Sequence, residues 1–375
     1  MKKNLLFFLM YVFGCLSTMN GQNITLSDQA QISILTCGNG DQLYSIFGHT
    51  ALRIYDPVYD LDIVYNYGTF DFAAPNFYLK FIKGDLQYFI STSRFDHFLY
   101  AYEIDNRDVW EQVIYLQPQQ KQELFHRLQN AINSQERYYT YKFIDRNCTT
   151  MVVDQLNTTF GEPIIQKVGN VEESYRHVIN PFLENLFFEK LGINIIFGHR
   201  PDEAALQLFL PIEFLESLKV AELKGKPVAG QVIIHNQQDA ELLKSPWWNS
   251  MYVLLGFLLV VIMTRNTKIY LGFLIFCGSL GIFLLGVGLF SEHREVLWNY
   301  NALLFNPLLI VMAFAYWKRK QKLFMNIRNI IIMVGLVYFI YLMNKAHFWM
   351  MLPIGLTIWI LLRQLNLRIK KVIVL

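Results

Sequence analysis

Residues 44–55 read Tyr44-Ser45-Ile46-Phe47-Gly48-His49-Thr50-Ala51-Leu52-Arg53-Ile54-Tyr55. A glycine suited to a turn precedes a run rich in strand-forming residues, so the stretch predicts a turn that delivers His49 to the start of a strand. Ala30-Gln31-Ile32-Ser33-Ile34-Leu35 before it also reads as a strand, and so does Asp62-Ile63-Val64-Tyr65-Asn66-Tyr67 after the Asp56-Pro57 turn. Residues 102–116 alternate enough to predict one or two more. Pro118 then opens a helix with Leu124, Leu128 and Ile132 four apart on one face. A second helix is predicted from Cys148, because Val152, Val153, Leu156 and Phe160 recur at helical spacing before Gly161 closes it. Strands followed by helices predict an α+β domain. Further on, Arg200-Pro201-Asp202 to Leu218 predicts a loop leading into a short helix near the membrane.

The remainder of the 375 residues is different in kind. Apolar residues make up 53% of the chain and charged ones 17%, too greasy for a soluble domain and too rich in core formers for a disordered one. The net charge of +3 conceals a split: residues 247–375 hold 13 Lys and Arg but only Glu292 and Glu295 among the acids, so residues 1–246 are net acidic. That excludes a diffuse basic surface, and no nucleic-acid partner is expected. Five apolar runs, at 247–264, 269–290, 300–317, 327–343 and 346–362, predict an integral, all-α membrane domain of five helices. If the preceding domain lies outside, eleven Lys and Arg fall in inner loops or the C-terminal tail, against only Arg294 and Lys345 outside. The positive-inside pattern therefore predicts a cytoplasmic C-terminus. At the other end, Met1-Lys2-Lys3-Asn4 and an apolar run from Leu5 to Leu16 predict a signal peptide over 1–21, too short to be a spanning helix. The expected organisation is 1–21 signal peptide, 22–246 exported domain and 247–375 membrane domain.

The exported domain holds Cys37 and Cys148, while Cys277 lies in the second apolar run as a small apolar residue. Two cysteines in an oxidising compartment suggest a disulfide between them. The alternative starts from Asp145-Arg146-Asn147-Cys148-Thr149-Thr150 at a predicted helix start, where helix amides and Arg146 favour a thiolate. A nucleophilic thiolate needs a base. His126 reads as a surface residue on its helix, and His97, His177 and His199 sit in polar contexts without a signature. His49 differs in standing at the start of a strand, on a rigid element; a lone histidine there is either structural or catalytic. No HExxH, CxxC or spaced acidic triad suggests a metal, and no phosphate-binding loop is present, so no cofactor is expected.

Gly48-His49-Thr50 followed 99 residues later by Asn147-Cys148-Thr149 resembles the circularly permuted papain-like (NlpC/P60-like) thiol enzymes, in which the histidine precedes the cysteine. Within that group the chain resembles the Lnb-type lipoprotein N-acyltransferases. The resemblance runs from about Ser33 to Leu218 through residues 44–53, Tyr67-Gly68-Thr69-Phe70, Asn147-Cys148-Thr149-Thr150 and Phe209-Leu210-Pro211. It continues in the membrane part at His293 and at Asn299-Tyr300-Asn301-Ala302-Leu303-Leu304-Phe305-Asn306-Pro307.

The resemblance implies a thiol acyltransferase with Cys148 as nucleophile and His49 as general base, a membrane lipid as acyl donor and a lipoprotein as acceptor. A third residue orienting the histidine is expected: Asn66 and Asp71 are candidates, though each reads first as a turn or surface residue. Tyr44 or the Cys148 amide is a candidate for stabilising an oxyanion, and Asn147 is a supporting candidate beside the nucleophile. Arg53 is expected to pair with an acid or a phosphate. His293, Asn299, Asn301 and Asn306 at the membrane edge suit either interfacial capping or a docking surface for head group or domain. The competing functions are a thiol hydrolase on the same dyad, peptidase or lipid or amide hydrolase, and a non-enzymatic membrane assembly factor carrying the disulfide.

Overall fold

The structure is a computed structural model that describes residues 25–169, 171–239 and 246–374. The expected signal peptide lies outside the described residues. The first strands are β1 (Gln31–Cys37), β2 (His49–Asp56) and β3 (Leu61–Thr69), each antiparallel to the next. Helix α1 (Phe77–Lys83), β4 (Gln87–Arg94), α2 (Phe95–Ile104), β5 (Val109–Ile114), α3 (Pro118–Ile132) and β6 (Tyr138–Thr140) follow. Then come α4 (Cys148–Phe160), α5 (Tyr175–Ile179), α6 (Phe187–Ile196) and α7 (Pro211–Val220). A hairpin of β7 (Glu222–Leu223) and β8 (Lys226–Pro227) leads to β9 (Ile233–Asn236). The main sheet has seven strands in the order β6-β4-β3-β2-β1-β5-β9.

Period-two alternation decides which helix covers which face. Ile32, Ile34, Leu52, Ile54, Tyr65 and Tyr67 point to one side and bury against Leu124, Leu128, Val152 and Leu156 of α3 and α4. Leu35, Cys37, Ala51, Val64 and Val109 point to the other and bury against Phe98 of α2. Residues 102–116, expected to supply one or two strands, divide between two elements: Tyr102 lies in the last turn of α2 and Val109–Ile114 is the one strand. The reason is local. Phe95, Phe98, Leu99 and Tyr102 recur at helical spacing and lay one apolar stripe on the sheet.

The C-terminal region is helical: α8 (Met251–Met263), α9 (Thr267–Phe290), α10 (Leu308–Trp317), α11 (Gln321–Leu342) and α12 (Phe348–Val374). Among the described residues, four segments are long and apolar enough to cross a membrane, 267–290, 294–317, 321–342 and 348–369. The first apolar run gives a helix of 13 residues, about 20 Å, which falls short of a ~30 Å hydrocarbon core. Its opening residues go elsewhere, since Asn249 accepts from the Phe188 amide and donates to Glu189 of α6. The third run does not begin as α-helix: 3-10 turns at Arg294–Val296 and Tyr300–Leu303 precede α10.

The outer loop before α10 is bonded into the sheet domain. The Ile144 amide donates to the Glu295 carboxylate, and the Gly198 amide to the Glu295 carbonyl. Asn299 and Asn301 donate to carbonyls at the end of α6. The sheet domain is thus docked on the helical region through backbone partners.

Candidate active site

Cys148 opens α4, and the residue before it fixes where that helix starts. The Asn147 side chain accepts from the Thr150 amide at 3.0 Å while the Thr150 hydroxyl accepts from the Asn147 amide at 2.8 Å, a reciprocal cap. The Asn147 amide group also donates to the carbonyls of Phe143 and Phe209. Asn147 therefore positions the helix whose first turn carries the thiol.

His49 is the first residue of β2, and Gly48 before it sits at φ +80. A Cβ there would meet the Cys37 carbonyl at 2.5 Å, so only glycine lets the turn close against β1. One residue beyond each candidate, Thr50 and Thr149 share a buried 3.0 Å hydroxyl–hydroxyl hydrogen bond. That bolt joins the start of β2 to the start of α4 and brings His49 and Cys148 together across 99 residues. Gly68 takes the φ of +92 that favours glycine in the irregular register between Asn66 and Thr69 and lies beside the thiol, where a Cβ on it would make ordinary contact, 3.7 Å from the Cys148 Cβ.

Asn66 belongs to β3 and pairs with Ala51, so its side chain shares a face with that of His49. Its Oδ1 lies 3.2 Å from His49 Nε2. Asn66 is therefore an in-strand partner of the imidazole, where the sequence reading favoured a turn or surface residue. Asp71 is the turn residue, accepting from the Ala73 amide.

Cys148 is half-buried and free, and Cys37 is buried and free. Burial alone would raise the Cys148 thiol. The charge and hydrogen bond of His49, the Thr50 amide and the Thr149 hydroxyl outweigh it and hold the thiol below its ordinary value. Cys37 goes the other way: burial, against a weaker hydrogen bond with Tyr102, pushes it up to about 12. One cysteine is poised and the other inert. Iodoacetamide is accordingly expected to alkylate Cys148 with a pH midpoint below that of an ordinary thiol, and His49→Ala is expected to move the midpoint upward. Cys37 should label only after denaturation. Equal labelling of both cysteines in the native protein would refute this assignment.

The other candidates lie elsewhere. Arg53 is spent on carboxylates: it pairs with Asp62 through two bonds of 2.7 and 2.8 Å and with Glu111, and lies over the Phe95 ring. Glu111 also takes Ser33 and His235, so a polar network ties strands β1, β2, β3, β5 and β9. His235 was overlooked in the sequence; its partner on β5 is what gives it meaning. Tyr44 is 64% exposed, edge-on to Phe70, with no hydrogen bond to the thiol or imidazole among the described residues. His293 Nε2 lies 2.9 Å from the Phe81 carbonyl, Asn301 accepts from the Tyr338 hydroxyl, and Asn306 caps the first turn of α10. Those three residues, with Asn299, dock the two regions and cap helices.

These features define a class: an α+β sheet domain with a thiol and an imidazole converging at a helix start, seated on a bundle of membrane-spanning composition. Residues 19–178 match the family model described as the Lnb N-terminal periplasmic domain, and residues 239–371 match the one described as the Lnb transmembrane domain. Together the matches span well over half of the chain, which belongs to the Lnb family, with a periplasmic N-terminal domain and a transmembrane C-terminal region. No curated protein and no solved structure gave a match.

Proposed function

We propose that this protein is a membrane-bound lipoprotein N-acyltransferase that moves an acyl chain from a membrane lipid, through a Cys148 thioester, to the N-terminal amine of a lipoprotein. The observation that carries the reading is the lowered Cys148 thiol beside His49, itself bonded to Asn66. In this scheme the Asn66 carbonyl keeps the proton on Nε2, and Nδ1 serves the thiol. The thiolate attacks the ester carbonyl carbon, a C–S bond forms and the C–O bond breaks. The imidazolium gives its proton to the departing lysolipid oxygen. The lipoprotein amine then attacks the thioester, His49 takes the amine proton, a C–N bond forms and the thiolate leaves. The Cys148 amide, first in α4 and at its positive end, is the proposed donor to the tetrahedral oxyanion.

Membrane anchoring suits this chemistry, since both substrates are confined to one surface and effective concentration rises without new contacts. The reading takes residues 22–246 as the periplasmic domain, of the permuted papain-like type. It takes residues 247–375 as five crossings, α8 making the first beside Trp247 and Trp248, with the C-terminus in the cytoplasm as the loop charges imply. Mass spectrometry of a lipoprotein N-terminus tests it: cells carrying the wild-type gene should show one acyl group more than cells carrying Cys148→Ala. Identical N-termini would reject the assignment. Incubation with phospholipid alone separates it from hydrolysis, because a transferase stalls as acyl-enzyme while a hydrolase releases fatty acid continuously.

A further inference from the structure

Helix α1 is short and buries none of its residues. Tyr78 is 75% exposed, Leu79 65% and Phe81 47%, and Phe72 in the preceding turn is 63% exposed. A seven-residue helix has little stability of its own and normally relies on an apolar face packed against something. What α1 does have is a firm attachment to the end of a membrane span. Ser291, directly after α9, donates its hydroxyl to the Ile82 carbonyl at 2.7 Å, and the Glu292 amide donates to the Lys83 carbonyl at 2.6 Å. The His293 ring packs against Gly84, which closes α1 at φ +80 and has no room for a Cβ there. Immediately before Ser291, Leu289 and Phe290 are exposed apolar residues at the outer end of a 24-residue apolar helix. Trp298, 85% exposed on the same outer loop, is the residue type that marks a membrane–water boundary. The exposed face of α1, which includes Lys80, is therefore fixed beside the end of the apolar helix α9, where Leu289 and Phe290 are exposed too.

An aromatic path leads inward from this face. Phe81 stacks on Phe77, Phe77 contacts Phe70, Phe70 contacts Tyr88, and Tyr88 stacks on Tyr141 at 4.4 Å between ring centroids. Tyr141 lies near enough to Cys148 to feel the thiolate charge, after burial, in the upward push on its phenol. From these placements we infer that α1 and the turn before it rest in the outer leaflet of the phospholipid bilayer and form the threshold over which a lipid acyl chain reaches Cys148. The seating in lipid stands on the attachment alone; the threshold rests on the acyltransferase reading.

Spin labelling of the full chain in phospholipid nanodiscs tests the seating. In a Cys148→Ala background, a nitroxide at Leu79→Cys should be open to oxygen and shielded from aqueous nickel, like one at the lipid-facing Leu289→Cys. A label at Gln119→Cys, exposed on α3, serves as the aqueous control. Nickel access at position 79 equal to that at 119 overturns the seating, whether water or another protein normally covers the face. The threshold is tested separately with Leu79→Glu/Phe81→Glu and intact Cys148. Acyl-Cys148 formation from long-chain phospholipid should fall at least tenfold while iodoacetamide still alkylates Cys148. An undiminished rate overturns the threshold. If wild type forms no acyl-Cys148 at all, the acyltransferase reading fails and the nitroxide result still decides the seating.

Discussion

Cys148→Ala is expected to lower lipoprotein N-acylation by at least about 10³-fold, and His49→Ala by about 10²–10⁴-fold, with membrane insertion and folding intact. Alanine at 148 removes the sulfur that, in the proposed scheme, takes the acyl group from the lipid before the amine receives it. Direct attack by the lipoprotein amine or by water on the oxygen ester, without a thioester intermediate, is then the remaining route. The helix start should survive, because Asn147 and Thr150 make the cap between themselves and the Thr50–Thr149 bond lies one residue along. Loss of His49 acts twice. The thiol loses the positive charge and hydrogen bond that offset its burial, so its ionisation shifts toward higher pH. The departing lysolipid oxygen also loses its proton donor. Raising the pH should therefore recover part of the acyl-enzyme formation in His49→Ala and none in Cys148→Ala. Rates of acyl-Cys148 formation and of N-acyl product, measured against pH, check both. A His49→Ala enzyme that transfers at the wild-type rate would remove histidine from the scheme.

The parts of this site that were readable in sequence are those written in local pattern. Gly48-His49 marks its turn because a left-handed glycine must precede the strand, and Asn147-Cys148 marks its helix start because a capping residue stands before an apolar period. Asn66 was readable only as one of two candidates for orienting the histidine, since what singles it out comes from register. Only when Ala51 pairs with Asn66 do His49 and Asn66 share a face, and the bulge that ends the pairing leaves no signature except Gly68. The Thr50–Thr149 bond is of the same kind, as two hydroxyls in unremarkable positions become informative only once sheet and helix meet. Apolar runs likewise located the membrane region and a helix within each run, but not where α8 and α10 begin. Composition cannot say that Asn299, just before the third run, and Asn301 inside it are turned toward carbonyls of another domain, or that Trp247 to Ser250 precede α8 as a turn.

The same docking surface supplies the second large effect. Arg176 on α5 is fully buried and is bonded on every side: Nε to Asp202 at 2.8 Å, Nη1 to the Asn194 side chain at 2.9 Å, and Nη2 to the Gly198 carbonyl and the Tyr300 hydroxyl. Tyr300 in turn donates to Asp202 at 2.6 Å, and Lys345 stands 3.6 Å from the same carboxylate. Burial would raise the Asp202 carboxyl, but Arg176, followed by Tyr300 and Lys345, holds it below its ordinary value. Arg176→Met keeps the bulk and removes the charge, leaving a buried carboxylate with only the Tyr300 hydroxyl and the more distant lysine, and the Gly198 carbonyl and Asn194 side-chain oxygen without the guanidinium donor. Breaking a buried pair from one side costs about 3–5 kcal/mol, and a loss of that size is expected in denaturant unfolding of the solubilised protein. The pH dependence gives the sign. In the wild type the depressed Asp202 value contributes stability above the unfolded carboxylate range, and that contribution is lost as pH falls through the folded value. In Arg176→Met the folded value rises above the unfolded one, so protonation relieves the strain and the deficit should narrow on acidification from pH 7 toward about pH 5. Arg176→Met/Asp202→Asn, with no buried anion left, should recover part of the loss at pH 7. A single variant as stable as wild type, with no dependence on pH, would show that this cluster does not hold the two regions together.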